Sequence, residues 1–522
     1  MSVFDTVIRH GTVIDGTGQP RRRADVGLVA DRVAQIGDLA DASAQRTIDA
    51  SGRVVAPGFV DVHNHSDGWL LTMPDYAPKT RQGFTTEVIM ADGISYAPAD
   101  DRTRADWIYY VRGLNALLFA QTDRWCSLSD YMARMDGQTA QNAITHIPFG
   151  NVRALACGWS RTSPDDFQLD EMLAQVRQGM EAGAVGISTG LDYLPQCFAS
   201  TDELVEVCRA MAPWGGLYAS HVRYRKTIVG GLQEAVAIGR RAGVAVHISH
   251  LKASKPADID AVLHYIDHVA VNEVDFSFDV YPYLPGCTML NYMLPYEVWE
   301  DGPLAVPARL REPEVRARFG RSLASYPLDQ IRIAWLPGRD NEPFIGKRLS
   351  DYVAAVGRSP GEALSDLLIE ENLAVLLVFH HGDDALVHPF LSHERYMMGT
   401  DGIYFPGAAV HPRLYGSAPR LLGPCVRQHR LFSLEAAVRK LSGFPAERFG
   451  LQDRGVLRPG AYADVVVFDP ETVADRATYD DPHQFPAGID HVWVNGVPVV
   501  EAGGPAPALP TPRPGRWLRY RR

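Results

Sequence analysis

Between residues 169 and 250 one pattern occurs three times: an amphipathic helical run followed by a short apolar run. "LDEMLAQVRQGMEAGA" leads into "VGISTG", "DELVEVCRAMAP" into "GLYASHV", and "LQEAVAIGRRAG" into "VAVHISH". Apolar residues at helical spacing, alternating with apolar runs too short for helices, imply parallel strands covered by helices. A chain of 522 residues has room for more such units than these three. The economical closure of an α/β rhythm over so long a stretch is a TIM-like (β/α) barrel. Residues 1–57 have a different texture. Runs such as "DTVIRHGTVIDGTG" and "ADVGLVADRVAQIGD" read as short strands between Gly and Asp turns. The texture returns near the C-terminus in "GAYADVVVFDP" and "GIDHVWVNGVPVVEAGG", so residues 1–57 and 450–522 are expected to pair into one small β-sandwich. Residues 58–449 then form the catalytic barrel. The stretch from about 285 to 350 breaks the rhythm and is rich in Pro, Arg and aromatics, as expected of an insertion over the barrel mouth.

Composition removes several classes of function. Hydrophobic residues make up 46% and charged residues 22%, as in a globular protein, and the net charge of −11 leaves no basic footprint for nucleic acid. No apolar run is long enough to span a bilayer. Met1 leads into "SVFDTVIRHG" without the charged start and apolar core of a signal peptide. The six cysteines are scattered, with no pair at metal-ligand spacing, which points to a reduced, cytoplasmic chain. The basic ending "RPGRWLRYRR" is expected to be a solvated tail. Oligomeric state is not legible.

In a barrel of this type, functional groups sit at the C-terminal ends of the strands. His63 and His65 end the run "VVAPGFVDVHNH", and their spacing of two places both imidazoles on one face. "TTEVIMADG" ends with Asp92, "GLYASHVR" with His221, "VAVHISHLK" with His250 and then Lys252, and "RYMMGTDG" with Asp401. A single histidine on an apolar segment is commonly a packed core residue. Imidazoles and carboxylates converging from five strand ends instead make a site for a divalent transition metal. His247 shares a strand face with His250 but lies deeper, and is expected in the core or behind the ligands. His380 and His381 follow another apolar run and are expected in an exposed loop.

Over nearly its whole length the chain resembles the N-acyl-D-amino-acid deacylases (D-aminoacylases) of the amidohydrolase superfamily. "PGFVDVHNHSD", "GAVGISTGLDYLP", "HISHLKAS", "FDVYPYLPGCT", "GTDG" and "HPRLYGSAPRLLG" carry the resemblance. It implies a (β/α)8 barrel with a small β-sandwich, one or two zinc ions, and hydrolysis of the linear amide of a small-molecule N-acyl-D-amino acid. His221 and His250 are implied to hold the catalytic metal with Asp92, and His63 and His65 to belong to a second, weaker position. Asp401 is implied as general base and then acid, and Arg413, Lys252 and Tyr283 as the grip on the substrate carboxylate. Two positions depart from the family pattern. "ADG" at residues 91–93 stands where the family has "NCG", so Asp92 replaces a thiolate ligand. Carboxylate is the harder ligand, so Mn²⁺, Fe²⁺ or Co²⁺ become acceptable beside Zn²⁺. An Asp92 that merely caps the Asp-Gly turn is the alternative. "PFGNVR" at residues 148–153 lacks a histidine that the family tends to have near Phe149, which leaves the acyl-side contacts open.

Two other classes stand beside this reading. One is a different metal-dependent C–N hydrolase, acting on a cyclic amide or another N-acyl compound. The other is a non-catalytic binding protein on the same fold, against which stands the full set of ligand positions.

Overall fold

The computed structural model describes residues 3–115, 125–225, 227–380 and 382–521. The three helices expected from the periodicity are Asp166–Glu181, Thr201–Met211 and Ile228–Ala242. Each starts on a side-chain cap. Asp165 accepts from the Gln168 N–H, Ser200 from Glu203 and Thr227 from Gly230, which satisfies N–H groups the helix leaves unpaired. Gly243 ends the third helix in the left-handed region at φ 71°.

The protein is an α/β fold. Eight parallel strands follow one another: β1 (Phe59–Asp61), β2 (Phe84–Ile89), β3 (Asn142–Thr145, continuing as Ile147–Pro148), β4 (Gly186–Gly190), β5 (Leu217–His221), β6 (Ala245–Ile248), β7 (Phe276–Asp279) and β8 (Tyr396–Met397). Each pairs with the next in parallel register, with β3 facing β2 through its first part and β4 through its second. The last strand also bonds back to the first. The Val62 N–H reaches the Met398 carbonyl at 3.3 Å, Asp401 reaches His63 at 2.7 Å, and His65 reaches Gly402 at 3.1 Å.

That return seam carries a buried ionic knot. The Asp61 carboxylate accepts the Thr400 N–H at 2.8 Å and its hydroxyl at 2.6 Å, and pairs with Lys79, which also contacts Thr400. Lys79 and Asp61 are both fully buried. Beside them Glu87 accepts the Ser66 hydroxyl at 2.7 Å and the Gln141 amide at 2.8 Å.

Residues near the N-terminus form two sheets. Val3–Arg9 pairs antiparallel with Asp25–Val29 and parallel with Ser43–Asp49. Val54–Pro57 pairs antiparallel with Val465–Phe468, which continues through Ile489–Val494 to Val497–Glu501. Ile8, Val26 and Leu28 of the first sheet share one apolar cluster with Val55, Val465, Val467 and Trp493 of the second.

Leu376–Phe379 is the middle strand of a small antiparallel sheet between Gly286–Met289 and Ile331–Trp335. One expectation needs correction. The basic ending is not a solvated tail. The Leu518 N–H bonds the Ala143 carbonyl of β3 at 2.8 Å, and the Tyr520 hydroxyl bonds the Gly215 carbonyl at 2.8 Å. Leu518 and Tyr520 pack on the apolar cluster of Val60, Val88, Ile144 and Leu217. Apolar residues between the arginines make this segment a strap across the strands. Among the described residues no helix is long and apolar enough to cross a membrane.

Glu87 provides a stability test. Burial pushes its carboxyl up from 4.5 to about 7, against the pull of Lys79. The folded chain therefore keeps a proton that the unfolded chain releases. This contribution is full below the unfolded value and is lost as pH rises through the folded one. Glu87→Gln stays neutral throughout, so its Tm relative to wild type should rise between about pH 5 and about pH 8. A Tm difference that stays constant across that interval would show that Glu87 does not titrate there.

Candidate metal centre

The C-terminal ends of the parallel strands bring the expected side chains to one place. His63 and His65 follow β1, Asp92 follows β2, His221 ends β5, His250 follows β6 and Asp401 follows β8. The His63 Nε2 lies 3.5 Å from Asp92 Oδ1 and 3.8 Å from Asp401 Oδ1. The His65 Nε2 lies 3.1 Å from Asp401 Oδ1 and 3.7 Å from Asp92 Oδ2. The His250 Nε2 lies 3.7 Å from Asp92 Oδ2 and 3.0 Å from His221 Nδ1. Two sets converge closely enough to hold an ion: His63 with Asp92 and His250, and His63 with His65 and Asp401. His63 thus belongs to both sets, and His221 joins through His250.

This donor set fits a divalent metal. The His63 Nε2 and Asp92 Oδ1 are buried, face one another, and have no hydrogen-bond partner among the described residues. An unpaired buried polar atom is costly. Ligand bonds of about 2.1 Å at a tetrahedral angle place two ligand atoms about 3.4 Å apart, close to the separation seen. Asp92 is 2% exposed and sits among three imidazoles.

Local backbone geometry aims these groups. Asp92, His250 and Asp401 adopt φ of 56°, 37° and 49°. Non-glycine residues pay for the left-handed region, and such strain persists where the surroundings impose it. In each case the chain reverses sharply at a strand end and throws the side chain inward.

Electrostatics keep the carboxylates ionised. Burial opposes ionisation of Asp92, but His63 and His250 hold it well below the usual carboxylate range. Burial likewise opposes Asp401, and the Arg413 guanidinium, 2.7 Å from its Oδ2, pulls it far down. Burial disfavours a charge on His63, yet Asp92 and Asp279 together hold it well above its ordinary value.

The expected substrate grip is only partly at the cleft. Lys252 lines it, bonded to the Tyr281 hydroxyl and to the Pro285 carbonyl at 3.1 Å. Arg413 is fully buried behind Asp401, with its guanidinium 4.3 Å from the Tyr281 ring. Tyr283 does not line the cleft. Its hydroxyl donates to Asp475 at 3.0 Å beside Arg420, and Tyr281 stands where Tyr283 was expected. None of residues 148–153 lines the cleft either. Asn151 holds the backbone of Ser95, and Arg153 pairs with Glu203. His380 borders a separate cavity with Arg420 and Tyr479, and His381 lies outside the described residues.

Two residues went unread in the sequence. Asp279, the last residue of β7, accepts from His247 at 2.9 Å and lies 3.5 Å from His63 Nδ1, so it orients both rings. The strand-end rule that found Asp401 would have found it. Asp192 lies 3.4 Å from His221 Nε2, directing Nδ1 of that ring toward His250.

An amidohydrolase family model matches residues 46–238 and 389–500. The chain belongs to the amidohydrolase family, and within it to the D-aminoacylases and their relatives. It is 37% identical to an N-acyl-D-glutamate deacylase of Alcaligenes xylosoxydans xylosoxydans, over 99% of this chain and 96% of the other. A crystal structure of N-acyl-D-glutamate deacylase from Bordetella bronchiseptica, complexed with zinc and a phosphonate mimic of the tetrahedral intermediate, superposes with a TM-score of 0.83. That match has 35% identity and covers 99% of this chain and 100% of the other. A D-aminoacylase structure described for its binuclear metal centre has a TM-score of 0.82 at 35% identity, again covering 99% and 100%.

Asp92 defines the test of this centre. Asp92→Asn should retain less metal than wild type after the same dialysis, because a charged ligand is lost. Asp92→Cys should shift retention toward zinc over manganese, since thiolate is the softer donor. Equal retention of both metals by all three proteins, read by elemental analysis, would remove Asp92 from the ligand set.

Proposed function

We propose that this protein hydrolyses the amide bond of N-acyl-D-amino acids, releasing a D-amino acid and a carboxylate. The observation that carries the reading is the pair of buried, unpartnered ligand atoms on His63 and Asp92, within a cluster completed by His65, His221, His250 and Asp401. The deacylase relatives supply the substrate class. In this reading the eight parallel strands form a closed (β/α)8 barrel spanning residues 58–449, and residues 1–57 and 450–522 form one small β-sandwich.

His63, His65, Asp92, His221, His250 and Asp401 would hold one or two divalent ions, with zinc the leading choice and Mn²⁺, Fe²⁺ or Co²⁺ admitted by the carboxylate of Asp92. A metal bound there supplies a nucleophile from water near neutral pH and polarises the amide carbonyl. Asp401 takes the proton of the attacking water and returns it to the leaving nitrogen. Its pairing with Arg413 keeps it ionised. Lys252 and Arg413 provide positive charge for the substrate carboxylate, and Tyr281 sits between them in the role first given to Tyr283. Asp279 and Asp192 orient the imidazoles, so that the ligand nitrogens point inward. The six free cysteines support a place in the reducing cytoplasm.

Asp401→Asn should keep its metal and lose about 10²-fold or more in kcat, the usual scale for a missing general base. A metal-replete variant with near wild-type kcat on an N-acetyl-D-amino acid would remove Asp401 from that role. A wild-type enzyme that opens cyclic amides and leaves N-acyl-D-amino acids intact would overturn the deacylase reading itself.

A further inference from the structure

The cleft beside the metal ligands has a volume of about 300 Å³, at the small end for ligand sites. The rest of its wall includes Leu114, Tyr193, Tyr224, Thr288, Tyr292 and Phe379, with the rings of Tyr193 and Tyr224 set 5.0 and 4.9 Å from that of His221. The three tyrosines look polar in sequence but are not so toward the cleft. The Tyr193 hydroxyl bonds Thr288 at 3.0 Å, the Tyr224 hydroxyl bonds the Ser249 carbonyl at 3.0 Å, and the Tyr292 hydroxyl contacts Asp192 at 3.5 Å. With the hydroxyls engaged in the protein, ring carbons are what remains for a ligand. Tyr193 and Tyr292 stand 5.3 Å apart, centroid to centroid, and make one continuous aromatic wall.

Charge sharpens the point. Lys252 is the one cation that lines the cleft among the described residues, and Arg413 lies behind Asp401. Both are used by the carboxylate that every N-acyl amino acid carries. A second carboxylate, on the side chain of a D-glutamate or D-aspartate, would meet ring carbon with no counter-charge among the described residues. It would also approach the Asp192 carboxylate behind His221 and Tyr292. Removing a carboxylate from water without a partner is costly. Arg225 is the nearest alternative cation, but it lies over the rings of Tyr292 and Tyr296 and bonds the Tyr292 carbonyl outside the cleft wall.

We infer that this enzyme takes N-acyl-D-amino acids with uncharged apolar side chains, aliphatic or aromatic, and rejects acidic ones, in contrast to the N-acyl-D-glutamate deacylase it resembles in sequence. The inference rests on the deacylase reading above and specifies its side-chain pocket.

The test is a kcat/KM panel on the zinc-loaded protein with the N-acetyl derivatives of D-leucine, D-phenylalanine, D-methionine, D-glutamate and D-aspartate, each beside its L-enantiomer. The expected result is turnover of the first three at about 10²-fold or more above the two acids, the scale set by an unpaired buried charge. Comparable or greater turnover of D-glutamate would overturn the inference and leave the deacylase reading intact. Loss of that turnover in Arg225→Met would then assign its side chain to Arg225. No turnover of any D-substrate would instead overturn the deacylase reading. Thr288→Arg, which adds a cation to the wall, should raise the D-glutamate to D-leucine ratio by about 10-fold or more, the scale of a newly made charge pair. An unchanged ratio in a folded, metal-loaded Thr288→Arg protein would count against the assigned pocket.

Discussion

The buried contact of Asp61 with Lys79 and Thr400 is the constraint on which the active region depends. Asp61 is the last residue of the first parallel strand, and Thr400 follows the last. One carboxylate accepts both the N–H and the hydroxyl of Thr400, so it sets the register in which the ends of the strand order meet. His63 is two residues beyond Asp61, and Asp401 is one beyond Thr400. Fixing that register therefore fixes the distance between the His63 imidazole and the Asp401 carboxylate. A buried ion pair is a poor source of net stability, but breaking one side leaves an uncompensated charge. The arrangement favours one register over its neighbours, whatever its net energy.

The same economy of charge runs through the centre itself. Asp92 and Asp401 are buried carboxylates that remain ionised because imidazoles and Arg413 surround them. In the protein without metal, His63 is drawn toward its charged form by Asp92 and Asp279. A metal ligand must be neutral imidazole, so loading the site exchanges a proton for an ion. Asp92 supplies a buried negative charge that His63 and His250 balance.

The convergence of His63, His65, Asp92, His221, His250 and Asp401 was legible because it obeys a local rule: polar residues at the ends of apolar runs in a parallel α/β frame. Asp279 obeys the same rule and was passed over because it opens an aromatic-rich stretch, "DVYPY". The Asp61–Lys79–Thr400 knot was not legible, since Asp61 and Thr400 are 339 residues apart. Tyr281 and Tyr283 are interchangeable in sequence, two residues apart in an extended segment. Only the position of Asp475, brought in from near the C-terminus, turns Tyr283 away. The terminal arginines suggested solvation, but Trp517, Leu518 and Tyr520 between them give the segment an apolar side, and partner strands exist only in the folded chain.

The strap has a consequence for the order in which the molecule can be made. The Ala143 carbonyl is met by the Leu518 N–H, and Val54–Pro57 finds its antiparallel neighbour only at Val465–Phe468. During synthesis the first strands keep edges and apolar faces uncovered until Val465–Phe468 and Leu518 have been made. Such long-range pairing slows folding, and the exposed intermediates that precede it are prone to aggregate. A chain cut before Leu518 would lack the segment that covers the strand starts at Val60, Ile144 and Leu217.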